Sequence, residues 1–355
     1  MKPRMNVYLT TAKKVLLYAY PMIYSLFEEN QDSEVYLYLV SENLVEDDIR
    51  EEQNLAESYG NHIIILRFDE EMARGKIVSA SDHWPLGTLG CYWLFHELLP
   101  PEVDKILALE SDSIVTGSLR EFYDTDLKGC YAACPDPEHK PLSHQKLMER
   151  LKGDVLTFVV SVYDVEAIRK TFTLEQILEA DRFVVKEFGH SQQELTFGIL
   201  FKDKIRFLPA DTLCVEENRQ SMEALGMEYL VNCERSCKVL HFSSTREKEK
   251  PWNPVYIMPG YGRWWQYAEK SPYYEEYFKR QWESAGKETE KIEELKKNIT
   301  WKNVLMMILA VYTFFMLAAG IILRQTFLWF AAVVFMLAAA VAVTLVVRKV
   351  LRKGK

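Results

Sequence analysis

Along this chain the hydrophobic positions fall into short continuous runs separated by longer stretches of helical spacing. Asn6 to Thr11 (NVYLTT), Val35 to Val40 (VYLYLV) and His62 to Phe68 (HIIILRF) are rich in β-branched and aromatic residues. Apolar runs of that length predict strands buried on both faces, as in a parallel sheet covered by helices. A helix is predicted from Val15 to about Glu29. A second is predicted from Ser41 or Glu42, acidic in its first turns as the helix dipole favours, to Tyr59, where Gly60 and Asn61 supply a stop. Strands alternating with helices of this length imply βαβ units, and so an α/β fold with a doubly wound, mostly parallel sheet.

Residues 69–87 read as loop, and a helix leads through Tyr92 to Leu99 before a short apolar run, Ile106 to Leu109. Val155 to Val165 predicts another strand. Helical patterns at 173–186 and 191–202 precede IRFLP, and Lys238 to Phe242 (KVLHF) is the last strand of the body. Residues 262–278 are dense in aromatics, a pattern that packs against a body more often than it cups a ligand. From Gln281 to Asn303 the spacing is that of a charged, solvated helix.

Two uncharged apolar runs follow, 304–323 and 327–347. At ~1.5 Å per residue each matches a ~30 Å hydrocarbon core, so they predict a transmembrane hairpin turning at Arg324-Gln325-Thr326. Lys296, Lys297 and Lys302 precede the first span, and Arg348, Lys349, Arg352, Lys353 and Lys355 follow the second. The positive-inside rule then places both termini and the body in the cytoplasm, in a two-span protein of the cytoplasmic membrane. The expected organisation is a body at 1–260, an aromatic-rich and charged helical linker at 261–303, the hairpin at 304–347 and a basic tail at 348–355.

Charge narrows the function. The last fifty-five residues hold seven Lys or Arg and no acid, which leaves thirty-six basic and fifty-one acidic residues before them. So acidic a body is a poor nucleic-acid binder. Six cysteines, two pairs of them at C-x₃-C spacing, lack zinc-knuckle spacing and a following His pair. No apolar run follows Lys2 and Arg4 to make a secretory signal.

The chemistry concentrates at the end of the Ile106 to Leu109 run, which delivers Glu110 and Asp112 with Ser111 between them. Strand side chains alternate, so both acids point one way if the chain stays extended. The carboxyl end of a buried strand is where open α/β sheets bind ligands. Carboxylate oxygens there suit a hard divalent cation, Mg²⁺ or Mn²⁺, able to hold a diphosphate; spacing alone points rather to two solvated acids in a loop.

The stretch HELLPPEVDKILALESDSIVTGSLREFYDTDLKG resembles the central signature of glycosyltransferase family 8, with Glu110-Ser111-Asp112 in place of the family's Asp-x-Asp. Weaker echoes extend over residues 5–255. The resemblance implies a nucleotide-sugar transferase (GT-A) fold. It further implies a retaining, metal-dependent transfer of a hexose from a UDP-sugar to a glycan or lipid-linked acceptor at the membrane. It makes Glu110, Asp112 and His241 the ligands of Mn²⁺ or Mg²⁺, and Lys250, in KPW, a contact of the diphosphate. Thr10, Thr11 and Ser111 fall at donor-binding positions, and Gln193 and Glu194 fall in the segment facing the donor sugar, where Glu194 is the candidate nucleophile. Other family positions are rewritten: a nucleotide-reading Asp is lost at Thr11 to Lys13, an Arg becomes Tyr92, an Asn and a Gly fall on Thr157 and Val159, and a Gly is replaced in Ser243-Ser244. That divergence keeps a second reading open, an inactive transferase-like scaffold or binding protein at the membrane.

Overall fold

The computed structural model describes residues 2–79, 89–136, 156, 160–209, 213–216, 223, 226–242, 250–252, 258–323 and 326–353. Thr157, Val159, Ser243 and Ser244 lie outside the described residues. The chain divides into two units, Met1–Gln281 and Trp282–Lys355.

In the first unit, β1 (Arg4–Thr10), β2 (Glu34–Ser41), β3 (His62–Arg67) and β4 (Lys105–Leu109) form one parallel set. With β6 (Ala132–Pro135), β7 (Val160–Asp164) and β8 (Ile205–Leu208) they make a seven-stranded sheet of order β3-β2-β1-β4-β7-β6-β8. The sheet is mixed: β7 runs antiparallel to both β4 and β6, whereas β6 and β8 are parallel. An apolar run cannot reveal strand direction, so that reversal was invisible in the pattern. Alternation along β1 sends Val7 and Leu9 into one buried layer with the helix Leu16–Glu29, and Tyr8 into the other, with residues 91–95 and Phe197. Both faces are therefore covered, as expected of buried parallel strands.

A second sheet, β5 (Ser113–Val115), β10 (Val239–His241) and β9 (Cys214–Glu216), stands beside the first in the order β5-β10-β9. The second helix starts later than its pattern predicts: a 3₁₀ turn at Glu46–Ile49 precedes Arg50–Tyr59. Local side-chain bonds hold the intervening chain out of the helix. Asp48 accepts from Val45 N at 3.1 Å, and Asn43 accepts from Lys13 N at 3.0 Å. Gly60, at φ 72°, closes the helix as predicted, its N–H donating to the carbonyls of Ala56 and Glu57.

The predicted membrane hairpin is corrected by the structure. Its residues belong to the fifty-residue helix Tyr274–Leu323, whose opening turns are strongly charged, and to the helix Thr326–Lys353. Among the described residues no helix is long and apolar enough to cross a membrane. The two-span location, with its membrane partner and cytoplasmic orientation, is set aside accordingly. Within this unit Tyr312 and Phe335 meet at 5.5 Å between ring centroids.

Arg169 fastens the chain leading into β4. Its guanidinium donates to the carbonyls of Phe95, Leu99, Pro100, Pro101 and Val103, four of them at 2.9–3.2 Å. Phe95 lies within a wide π-type turn at Leu94–Leu98, where Leu99 N reaches back to Leu94 O, and the other four acceptors follow it. Arg169→Ala strands those carbonyls and should lower unfolding free energy by about 2–4 kcal/mol. Arg169→Lys, which lacks the planar fork, should recover less than half of it. Urea unfolding of the three proteins measures both; equal stability would mean the carbonyls are satisfied without the fork.

Glu52 is fully buried on the helix Arg50–Tyr59, where Tyr273 donates to Oε1 at 3.2 Å and Oε2 has no hydrogen-bond partner among the described residues. Burial lifts its pKa from 4.5 to about 7, outweighing the hydrogen bonds that favour the anion. Between those values the folded chain keeps a proton that the unfolded chain has lost, so stability falls as pH rises through that window. Glu52→Gln should flatten this slope and be the more stable protein above pH 7, by on the order of 1–3 kcal/mol. Denaturant midpoints at pH 5 and pH 8 test it, parallel profiles being the contrary result.

Candidate functional site

The strand β4 ends at Leu109, and the chain crosses from the large sheet into β5 through Glu110-Ser111-Asp112. Ser113 Oγ closes that crossing by donating to Glu110 O at 2.6 Å. Antiparallel pairing of β5 with β10 sets His241 opposite Ser113, and Phe242 N donates to Asp112 O at 2.9 Å. The register therefore carries the imidazole to the two acids. His241 Nε2 lies 3.1 Å from Glu110 Oε2 and 3.4 Å from Asp112 Oδ1. One ligand atom from each of the three residues falls within a 4.8 Å cluster.

Lys250 completes the group, donating to Asp112 Oδ2 and, at 2.8 Å, to Phe242 O. Its position is fixed by aromatic packing. Trp252 stacks on Tyr18 at 4.5 Å and meets Trp264 at 5.7 Å, while Trp265 Nε1 donates to Pro251 O at 3.1 Å. The aromatic-rich stretch after the last strand thus packs on the body, as its pattern suggested, and so braces the KPW segment.

The charges gathered here act strongly on Asp112 and His241. Burial pushes the Asp112 carboxyl up, but Lys250 and His241 outweigh it and hold the group well below the usual carboxylate range. Burial pulls His241 down, and Asp112 and Glu110 overcome it, raising the imidazole to about 10. Without a bound cation, the positive charge that balances the acids comes from His241 and Lys250. A nitrogen and two carboxylate oxygens converging on one point fit a divalent cation of the Mn²⁺ or Mg²⁺ type. Glu110, longer than Asp by a methylene, still reaches the cluster.

Thr10 ends β1, beside β4, and Thr11 N donates to Val40 O at 3.0 Å. The buried Thr11 Oγ1 has no hydrogen-bond partner among the described residues. Ser111 sits within the crossing itself. Gln193 and Glu194 open the helix Gln193–Leu200 and are held by a different set of contacts. Cys91 Sγ donates to Gln193 Oε1 at 2.9 Å, and Leu156 N donates to Glu194 O at 3.3 Å. Tyr8 on β1 feels both sets: its phenol is pushed up by burial first, then by Tyr163, Cys91 and Glu110. A cavity of about 300 Å³ lined by Arg4, Asn6, Glu102, Asp104, Lys105 and Tyr123 lies at the opposite, amino-terminal ends of β1 and β4. Its polar groups largely satisfy one another, Arg4 Nε on Asn6 at 2.7 Å and Asn6 Nδ2 on Lys105 O at 3.1 Å.

Sequence reasoning found β10, within the run Lys238 to Phe242, but missed its partners β5 and β9 and the stack of Trp252 on Tyr18. Three-residue strands carry no period to detect. An aromatic pair separated by most of the chain has no local signal.

An α/β sheet with an acid pair at the end of a central strand, completed by an imidazole from a second sheet and by the ammonium of Lys250, is the arrangement of a glycosyltransferase. The chain belongs to glycosyl transferase family 8, whose model matches residues 6–255. Among solved structures it is similar to the bifunctional glycosyltransferase WbbM, at TM-score 0.63 and 17% identity, covering 79% of this chain and 52% of that one. It is also similar to the galactosyltransferase LgtC in complex with donor and acceptor sugar analogues, at TM-score 0.60 and 16% identity, covering 76% of this chain and 96% of LgtC. The glycosyltransferase GlyE of Streptococcus pneumoniae follows at TM-score 0.55 and 17% identity, covering 74% and 60%. No curated protein sequence matches significantly.

The charge cluster gives a test that needs no ligand. Asp112→Asn should cost about 3 kcal/mol in metal-free buffer, because it leaves a buried ammonium without its anion. Adding Lys250→Met should recover at least ~1 kcal/mol of that loss. A double-mutant cycle by chemical unfolding reads the coupling, and strictly additive losses would show that the pair is not one unit.

Proposed function

We propose that this glycosyltransferase moves a hexose from a UDP-sugar to a glycan or lipid-linked acceptor with retention of anomeric configuration, within a catalytic domain at residues 1–260. The single observation that carries the reading is the meeting of Glu110, Asp112 and His241 at one point with Lys250 beside them. Those three residues would hold Mn²⁺ or Mg²⁺, which when bound neutralises the diphosphate and eases its departure.

The chain's own residues divide the remaining work. Lys250 exchanges its contact with Asp112 for one with a diphosphate oxygen, and so supplies positive charge where the leaving group gains negative charge. Thr10, Thr11 and Ser111 line the donor's approach with short polar side chains at the ends of β1 and β4. Gln193 and Glu194 face the sugar, the first as an amide that orients it, the second as the carboxylate able to meet the anomeric carbon. In the net reaction the bond from the anomeric carbon to the diphosphate oxygen breaks, a bond to the acceptor oxygen forms, and the acceptor's hydroxyl proton leaves with the diphosphate. LgtC, with donor and acceptor sugar analogues in its complex, lends support through a fold this chain shares over most of its length.

Calorimetric titration of the full chain with UDP, in Mn²⁺ and again in EDTA, tests the donor and metal reading together. Binding is expected in Mn²⁺ alone, and His241→Ala should abolish it. UDP affinity indifferent to EDTA would sink the metal assignment. Proton NMR of the product should find the anomeric configuration of the donor preserved.

A further inference from the structure

Asp181 lies on the helix Leu174–Phe188, fully buried. Its carboxylate is gripped by hydroxyls alone among the hydrogen bonds that define it. Tyr92 donates to Oδ1 at 2.8 Å, Thr196 to Oδ1 at 3.2 Å, and Ser191 to Oδ2 at 2.6 Å. Tyr92 Oη and Thr196 Oγ1 are themselves 3.3 Å apart. A buried carboxylate facing hydroxyls rather than a cation is a costly way to fill space, since an apolar side chain would pack there without the desolvation penalty. What the carboxylate offers and an apolar group does not is directional acceptance from several donors at once.

The donors come from different segments, and between them lies the stretch assigned to the sugar. Tyr92 belongs to the helical turn Cys91–Trp93, Ser191 immediately precedes Gln192, and Thr196 lies one turn into the helix Gln193–Leu200. Ser191 and Thr196 therefore clamp Gln192, Gln193 and Glu194 from both ends. Cys91, next to Tyr92, holds Gln193 Oε1 directly. Ser191 is fixed in turn by Val78, its N–H donating to Val78 O at 2.7 Å and its Oγ accepting from Val78 N at 3.0 Å. Every group that sets the direction of Gln193 leads back to this carboxylate within two contacts or adjoins a residue that does.

We propose that Asp181 is a positioning residue for the sugar half of the donor, fixing where Gln193 and Glu194 point through the hydroxyls of Tyr92, Ser191 and Thr196. The inference rests on the nucleotide-sugar reading of the site. It splits the pocket in two: a diphosphate end set by Glu110, Asp112, His241 and Lys250, and a sugar end set by a hydroxyl-bound acid that touches none of the reacting atoms. Displacing side chains that orient a substrate by about 1 Å costs on the order of 10²-fold in rate. The diphosphate end should not register the change.

The test uses the full chain, Mn²⁺, and UDP, UDP-glucose and UDP-galactose as probes. Asp181→Asn keeps the shape and one acceptor oxygen. It should leave UDP affinity within about twofold while turnover of the preferred UDP-hexose falls on the order of 10²-fold. Tyr92→Phe, which deletes a single donor, should give the same split at smaller amplitude and stands in if Asp181→Asn does not fold. A purely structural role would lower the melting temperature and move UDP and UDP-hexose affinity alike; that result, or wild-type turnover in either folded variant, overturns the proposal. Wild-type protein that binds no UDP overturns the donor reading underneath and this inference with it, whereas UDP binding with an unchanged variant overturns the inference alone.

Discussion

The site depends on the pairing of two three-residue strands. β5 follows the acid pair directly, and β10 ends in the imidazole; their antiparallel register sets His241 against Ser113 and Leu240 against Ile114. A slip of one residue would turn every side chain of β10 to its other face, burying Leu240's neighbour in the wrong layer and carrying the imidazole away from both carboxylates. The register is held from both faces. Leu240 and Ile114 share a buried cluster with Trp252 and Trp264, while Val115 and Val239 join the core beneath the large sheet. Val115 N also donates a hydrogen bond to the buried Ser25 Oγ on the first helix, at 3.0 Å. Hydrophobic packing on two sides thus fixes an electrostatic arrangement on the rim.

How much of this was legible in the sequence follows from where each signal resides. The strand at 35–40 declared itself because a strand buried on both faces needs an unbroken apolar run; the run at 62–68 gave the same signal, although β3 is the edge strand and only half-buried. Glu110 and Asp112 were readable for the converse reason, being charges placed where such a run stops. His241 and Lys250 could be attached to them through the resemblance to family 8, since a contact across more than a hundred residues leaves no trace in local spacing. The direction of β7, the existence of β5 and β9, and the delayed start of the helix at Arg50 were not legible. Each is decided by partners outside the window in which a pattern is read. The apolar runs near the carboxyl end misled in the opposite way: they fall inside the longer helices Tyr274–Leu323 and Thr326–Lys353, and among the described residues no helix is long and apolar enough to cross a membrane.

Asp181 escaped the sequence reading for a related reason. A lone acid in an amphipathic helix reads as solvated, and the helix Leu174–Phe188 otherwise fits that pattern, with Glu175, Glu179 and Arg182 exposed on it. What separates Asp181 is its burial and the hydroxyls it meets, none of which its own segment supplies. Tyr92 carries the same lesson. Where the family resemblance expects an arginine, this chain has a phenol, and the phenol finds a buried acid as partner. An arginine would bring its own charge to this acid, whereas the tyrosine gives it a hydrogen bond, and burial raises the carboxyl above its ordinary range.

The two ends of the site consequently obey different physics. At the acid pair the interactions are between full charges, and the ligand-free cluster balances itself with Lys250 and His241. Such a cluster is poised to exchange one cation for another, because a carboxylate held far below its normal pKa will keep some positive partner at any ordinary pH. At Asp181 the partners are neutral hydroxyls, fixed in direction and indifferent to salt. Under the proposed nucleotide-sugar reading, exchange of charge suits the end that would take up and release a diphosphate, and directional, unchanging contacts suit the end that would present one face of a sugar to an acceptor. The fold separates them by building the first at the seam between two sheets and the second among the helices that cover the larger one.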